Sequence, residues 1–286
     1  MRLKIVLFAL TGMGNEVFRS LCRLGHMPAL VVTRREAGTY PYYDETQLVD
    51  EVIALGGNVS FDAEGEIEAE RSFPDIIISA TYHRLIPSAV ISSAGCAFNM
   101  HPSLLPKYSG RNPFFWVLRQ GEKTTGVTVH RLTSKFDEGD IVLQQKTDIC
   151  INETQGTLRL KLAKIAGDLT NQLIDAHTQK CIQSQHVFNA ITAPSRQITD
   201  SDRALNLCST FSDLSRHIRA LSPWPLATID EISSEVLEII EVEYNAHRTM
   251  VQGEIVCIES SIVKVVVADA VVSLRVRNKQ NQISRL

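Results

Sequence analysis

The 286-residue sequence is conspicuous for what it withholds. Its six cysteines (Cys22, Cys96, Cys150, Cys181, Cys208, Cys257) include no C-x-x-C pair, which excludes zinc-ribbon spacing and a compact disulfide framework. They read as thiols of a reducing compartment, and no metal site is expected. Long apolar runs are missing too. The opening Leu3–Ala9 stretch is too short to span a bilayer and lacks a small-residue cleavage site, so a cytoplasmic protein is expected. There is no basic excess: 29 Lys and Arg stand against 32 Asp and Glu, so a polyanion would have to be held by a local patch. Gly12-x-Gly14 lacks the third glycine of a dinucleotide fingerprint, which argues against a nicotinamide site. Internal repeats and low-complexity tracts are absent.

What remains is a strand–helix alternation. Residues 3–9 (LKIVLFA) run into Thr11-Gly12-Met13-Gly14, after which Val17, Leu21 and Leu24 recur at helical spacing. Met27–Val32, Asp75–Ser79, Cys96–Met100, Gly126–Leu132 and Ile141–Gln145 read as strands, and Glu45–Leu55 and Gln155–Gln179 as helices. This order predicts an α/β fold with a Rossmann-like, mostly parallel sheet and helices on both faces, over residues 1–186. A linker is expected over 187–202, where Ala, Pro, Ser, Gln and Asp dominate. Residues 203–286 begin with a helix (Ser212–Ala220) and continue with strand-like runs at Val236–Val242, Gly253–Ile258, Ser261–Ala268 and Val271–Val276, the pattern of a small OB-like β-barrel domain.

Ligands of such sheets gather at the carboxyl ends of the strands, and Asn99 and His101 sit at one such end, two residues apart and on one face. Asp137, beyond the Gly126–Leu132 strand, is within reach of the same crevice. A carboxylate, an imidazole and an amide suit acyl transfer to an amine: the imidazole accepts the amine's proton, the amide N–H meets the developing oxyanion, and the carboxylate steadies the imidazole. Alone, Asn99 and His101 are equally a polar strand end, and Asp137 a turn carboxylate. His26, His83, His130, His177, His186, His217 and His247 read as ordinary histidines, with His83 nearest the expected site.

The blocks Phe98-Asn99-Met100-His101-Pro102-Ser103-Leu104-Leu105-Pro106, Gly110-Arg111-Asn112-Pro113, Thr125-Gly126-Val127-Thr128 and Asp137-Glu138-Gly139-Asp140-Ile141 closely resemble the folate-dependent formyltransferase family. That family includes methionyl-tRNA formyltransferase, sugar-nucleotide N-formyltransferases and glycinamide ribonucleotide transformylase. The resemblance implies a 10-formyltetrahydrofolate co-substrate, no metal, and catalytic roles for Asn99, His101 and Asp137. It also implies a pterin held by Arg84-Leu85-Ile86-Pro87 and by the loop from Lys135 to Glu138. Leu85, Ile86, Leu104 and Phe136 would wall the flat ring, with plain core packing as the alternative for Leu104 and Phe136. A weaker likeness extends through Ile218–Pro225 and the strands that follow.

For the acceptor, the resemblance offers Met13, Ser103, Arg111 and Tyr42 as binding residues. The segment Arg34–Asp44 holds only two basic residues but three tyrosines, which argues against tRNA, whose affinity rests on phosphate contacts. The tyrosines could stack on a base or simply cover the surface. A small-molecule amine is expected, most plausibly an amino sugar attached to a nucleotide. The rival, formylation of initiator tRNA, requires a basic face of Arg203, Arg216, Arg219, Arg248, Arg275 and Arg277. A folate-binding relative without an acceptor is a further alternative. The chain is expected not to bind a membrane, and a homodimer is compatible with the sequence.

Overall fold

The computed structural model describes residues 2–35, 46–186, 195–244, 251–259 and 261–278. The chain divides into two compact units. The first comprises Met1–Phe114, Lys123–Cys150 and Thr157–Arg196; the second comprises Phe115–Glu122, Ile151–Gly156 and Gln197–Leu286. Among the described residues no helix is long and apolar enough to cross a membrane, and no cluster of His, Cys, Asp or Glu could hold a metal ion.

In chain order the elements associated with the first unit are β1 (Ile5–Ala9), α1 (Met13–Arg23), β2 (Leu30–Thr33), α2 (Leu48–Ala54), β3 (Val59–Phe61), α3 (Asp62–Ser72), β4 (Ile76–Ala80), α4 (Ser88–Ser93), β5 (Cys96–His101), α5 (Pro113–Arg119), β6 (Thr124–Arg131), β7 (Ile141–Asp148) and α6 (Gln155–Thr178). α5 ends, and α6 begins, within segments assigned to the second unit. The strands form one sheet in the order β3-β2-β1-β4-β5-β6-β7; the first five are parallel, while β6 and β7 are antiparallel to their neighbours. The expected mixed α/β architecture is therefore present.

β1 and β4 are buried along their whole length, which explains their unbroken apolar sequence. On one face Val6, Phe8, Val32 and Ile77 pack with Ala69 of α3 and Val90 of α4. The helices α1 and α6 supply Val17, Phe18 and Leu21, and Leu158, Leu162 and Leu169, all buried. Full burial of each such side chain stabilises by roughly 1.5–3 kcal/mol, so three per helix outweigh any single cap. The glycines after β1 serve packing and turning. Gly12 adopts φ 101°, and a Cβ at Gly14 would stand 2.7 Å from the Ala9 Cβ.

The second unit contains α7 (Asp200–Arg203), α8 (Phe211–Leu221) and an antiparallel sheet of β8 (Ala227–Ile229), β9 (Ser234–Tyr244), β10 (Ile255–Glu259), β11 (Ile262–Val266) and β12 (Ala270–Asn278), ordered β10-β11-β12-β9-β8. Among the described residues no strand joins β10 to β8, so the sheet has two edges and is a small β domain, not a closed barrel. Its core is Val236, Val263, Val265, Val272 and Leu274, and α8 contributes Leu214, Ile218 and Leu221. Buried Glu235 receives both Arg203 (2.6 Å) and Arg277 (2.9 Å).

Candidate active site

β5 delivers Asn99 and His101 to one face of the sheet at its carboxyl end. Because β6 runs antiparallel to β5, with Asn99 opposite His130 and His101 opposite Thr128, a second imidazole joins them. The loop after β6 then turns back and places Asp137 over this group. Two features make that turn. Asp137 itself takes the left-handed conformation (φ 56°), which Asp tolerates better than most residues. Gly139 passes so close to Arg131 that a Cβ would lie 1.8 Å from its carbonyl oxygen. The Asp-Glu-Gly-Asp spacing is thus a steric requirement of the loop that carries the carboxylate.

Asp137 is the hub. One oxygen, Oδ2, accepts from the Gly110 N–H at 2.7 Å; the other, Oδ1, faces His101 Nδ1 at 3.4 Å, His130 Nε2 at 3.5 Å and Asn99 Nδ2 at 3.5 Å. The far nitrogen of each ring is held by a backbone carbonyl: His101 Nε2 donates to Tyr108 O (2.8 Å) and His130 Nδ1 to Arg131 O (2.9 Å). A carbonyl only accepts, so each neutral ring carries its proton on that far nitrogen and turns a bare lone pair toward Asp137. Asn99 Nδ2, 3.0 Å from His130 Nε2, donates to that lone pair.

Burial sets the titration of the site. It pushes the Asp137 carboxyl up, but the adjoining His101 and His130 imidazoles and the Gly110 N–H outweigh it and hold the group at about 2, so it is ionised. For His101 burial is the largest influence and lowers the pKa; Asp137 and the Tyr108 carbonyl oppose it, and His130 adds to it. His101 is therefore a neutral base facing a carboxylate, able to accept one proton at Nδ1.

The loop after β5 is tied down by one hydroxyl. Thr128 Oγ1 donates to Ser103 O (2.6 Å) and accepts from Leu105 N–H (3.1 Å) and Gln144 Nε2 (2.8 Å), all buried or half-buried. Thr128→Val would leave these partners unsatisfied and is expected to destabilise the fold by roughly 1–3 kcal/mol, read as a lowered midpoint in urea. On the other side Ser195 holds the loop that supplies Gly110, accepting from Arg111 N–H (2.8 Å) and donating to Ser109 O (2.6 Å). Ser195 falls in the stretch expected to be a linker.

The remaining candidates are dispersed. Ile86 belongs to the core beside Val90, and Leu85 is 44% exposed. Arg84 pairs through Nε with buried Glu66 at 3.0 Å. Leu104 is half-buried, Phe136 is 58% exposed, and Glu138 pairs with Lys135 on the surface. Met13 and Ser103 are enclosed, with 1% and 0% of their surface exposed, and Ser103 Oγ donates to Lys107 O; burial leaves neither side chain facing solvent. Arg111 is exposed, and Tyr42 lies outside the described residues. His83 pairs with Asp62, away from the trio. The residue that composition and motif reading passed over is His130, which pairing β6 against β5 in antiparallel register would have set across from Asn99.

Residues 33–174 match the formyl transferase family. Over that stretch, just under half of its length, the chain is similar to that family. Methionyl-tRNA formyltransferase of Streptococcus mutans is 30% identical over 153 residues, 54% of this chain and 49% of that protein. The chain thus aligns with about half the length of the curated relatives it matches. Two solved structures share the fold over nearly the whole chain. A variant of HypX from Aquifex aeolicus superposes with a TM-score of 0.72 at 14% identity, over 98% of this chain and 45% of HypX. The N-formyltransferase of Helicobacter canadensis, solved with folinic acid and dTDP-3-aminofucose, gives 0.71 at 17% identity, over 96% of this chain and 98% of that one. Neither the family match nor these folds decides among acceptors.

Proposed function

We propose that the chain transfers a formyl group from 10-formyltetrahydrofolate to the amine of a small molecule, an amino sugar carried on a nucleotide. The observation that carries this reading is the Asn99–His101–His130–Asp137 cluster, in which one ionised carboxylate faces two histidine nitrogens, that of His101 open to take a proton and that of His130 accepting from Asn99. The surroundings fit a folate. Leu85 and Phe136 are large apolar side chains left largely exposed, Phe136 immediately before Asp137, and a flat heteroaromatic ring would cover such surface. Ile86, by contrast, is core, so its backbone and not its side chain would serve a ligand.

The folate supplies an activated formyl carbon. The amine nitrogen bonds to that carbon, the bond to the folate nitrogen breaks, and the proton shed by the amine ends on that nitrogen. His101 Nδ1 takes the proton in transit, since its pKa, lowered by burial, leaves it unprotonated at neutral pH. Asp137 stabilises the cation so formed. The Asn99 amide N–H is the donor for the oxyanion that develops, an interaction worth on the order of 3 kcal/mol per donor.

The cations needed for tRNA are largely spoken for within the second unit. Arg203 and Arg277 share Glu235, Arg275 pairs with Glu238, Arg216 with Asp213, and Arg219 donates to Glu153 O; Arg248 lies outside the described residues. This supports a small acceptor over a polyanion. We also read the C-terminal sheet as an OB-like open barrel, because β9 is long and its pairing with β12 is bulged twice, the device by which sheets curl. Incubating the protein with 10-formyltetrahydrofolate and a panel of nucleotide-linked amino sugars is expected to yield a formyl adduct by mass spectrometry. Formylated methionyl initiator tRNA with no sugar adduct would overturn the acceptor; folate breakdown with no formylated amine would overturn transfer itself.

A further inference from the structure

The outer edge of the seven-stranded sheet carries features that the chemistry above does not use. β7 is paired on one side by β6 and on the other only at its first residue, where Ile141 and Gln185 exchange both backbone hydrogen bonds (3.0 and 2.8 Å). Along Val142–Asp148 no strand of the described residues lies against that outer edge. An open edge of this length invites another strand unless something blocks it; no proline or bulge does so between Leu143 and Asp148, and Lys161, whose Nζ donates to Asp148 O at 3.3 Å, reaches it with a long side chain that can give way to a strand. Beside it, β7 and α6 bound a groove of about 570 Å³ whose lining includes Gln145, Lys146, Thr147, Leu160, Lys161 and Ile165, with Leu160 38% exposed. On the same strand Lys146 and Asp148 are exposed, and their side chains make no hydrogen bond or ion pair among the described residues.

We propose that this edge is a two-fold interface with a second copy of the chain, the two β7 strands pairing antiparallel about Thr147. In that register Lys146 stands directly opposite the partner's Asp148, and Asp148 opposite the partner's Lys146. Gln145 meets the partner's Ile149, and the two Thr147 residues meet on the axis. Directly opposed residues share a face, so both charge pairs form on one side of the joined sheet, while Thr147 and Gln145 bring the partner's strand across the mouth of the groove on the other. The charges select this register. Centring the pairing on residue 146 sets Lys146 against itself, centring it on 148 sets Asp148 against itself, and centres at 145 or 149 leave both unmatched. A contact in which each residue meets its complement twice closes as a dimer and leaves no edge for further addition.

The test is a charge swap on the full chain, read by sedimentation velocity at low ionic strength and micromolar concentration. The natural chain is expected to be a dimer. Lys146→Asp places four carboxylates, and Asp148→Lys four ammonium groups, around the axis; each is expected to raise the dimer dissociation constant about tenfold or more. The double variant Lys146→Asp/Asp148→Lys restores both pairs in reversed sense and is expected to regain the dimer. Circular dichroism checks that each variant is folded. A monomeric natural chain overturns the proposal. So do single variants that stay dimeric, which would place the contact elsewhere, and a folded double variant that remains as weak as the singles.

Discussion

Asp137→Asn is expected to lower turnover by at least about a hundredfold, because asparagine can still accept from the Gly110 N–H but cannot stabilise a cation on His101. The pH profile gives a second readout that mere damage would not produce. With His101 as the proposed base, the rate is expected to rise with pH through its pKa, which burial holds below the ordinary value and Asp137 partly restores. Removing that charge moves the acid limb of the profile to still lower pH. The stability consequence runs in the same direction but in a more acidic window. A carboxyl whose folded pKa is depressed from 3.8 to about 2 stabilises the fold at pH values above the unfolded one, and this contribution, on the order of 2 kcal/mol, is lost as pH falls from about 3.8 through 2. Urea melts of the natural chain and the Asp137→Asn variant should therefore converge in acid. Asn99→Ala and His101→Ala, assayed alongside, are expected to fall at least as far in turnover; near-natural rates in any two of these variants would refute the assignment of the trio.

Gly139→Ala is expected to be nearly as damaging, for a mechanical reason. Its Cβ would stand 1.8 Å from the Arg131 carbonyl oxygen, a backbone atom of β6 that cannot swing aside as a side-chain tip can. The loop must lift by more than an ångström. Asp137, two residues upstream, would then lose its 2.7 Å bond from Gly110 and its approach to both imidazoles. Overpacking of this kind costs roughly 1–3 kcal/mol, and a misplacement of that size in an active site can cost about a hundredfold in rate. The decisive comparison is the melting temperature and kcat together. A variant with both unchanged would mean that the glycine is not what holds the carboxylate in place.

The fold was legible wherever burial was two-sided. β1 and β4 announce themselves as largely apolar runs, and α1 and α6 by apolar residues at helical spacing. α3 left no such trace: Asp62–Ser72 reads DAEGEIEAERS, and it packs through Gly65, Glu66 and Ala69 while its one large apolar residue, Ile67, is 50% exposed. Gly65 explains the close fit, since a Cβ there would meet Val32 at 2.6 Å. β3 is three residues long and β8 likewise, too short for periodicity to register.

The site divides the same way. Asn99, His101 and Asp137 lie in blocks whose spacing is distinctive, and the structure gathers them. His130 was invisible because its role depends on β6 being antiparallel to β5, a reversal that strand–helix alternation does not predict. Ser195 was missed for a related reason: it acts through its backbone, from a stretch whose composition reads only as linker. The burial of Met13 and Ser103 follows from tertiary packing of residues whose motifs place them beside the site but say nothing of which way they point.

The carbonyl group that anchors the His101 imidazole has a further effect. With Tyr108 O occupying one nitrogen of His101, a proton arriving there has a single place to land, facing the carboxylate oxygen that the His130 ring also faces. That one nitrogen is the place where the pocket can hold a single proton beside the carboxylate. In the proposed reaction such a reservoir would be filled once and emptied once per turnover, which matches an amine that sheds a single proton on the way to an amide.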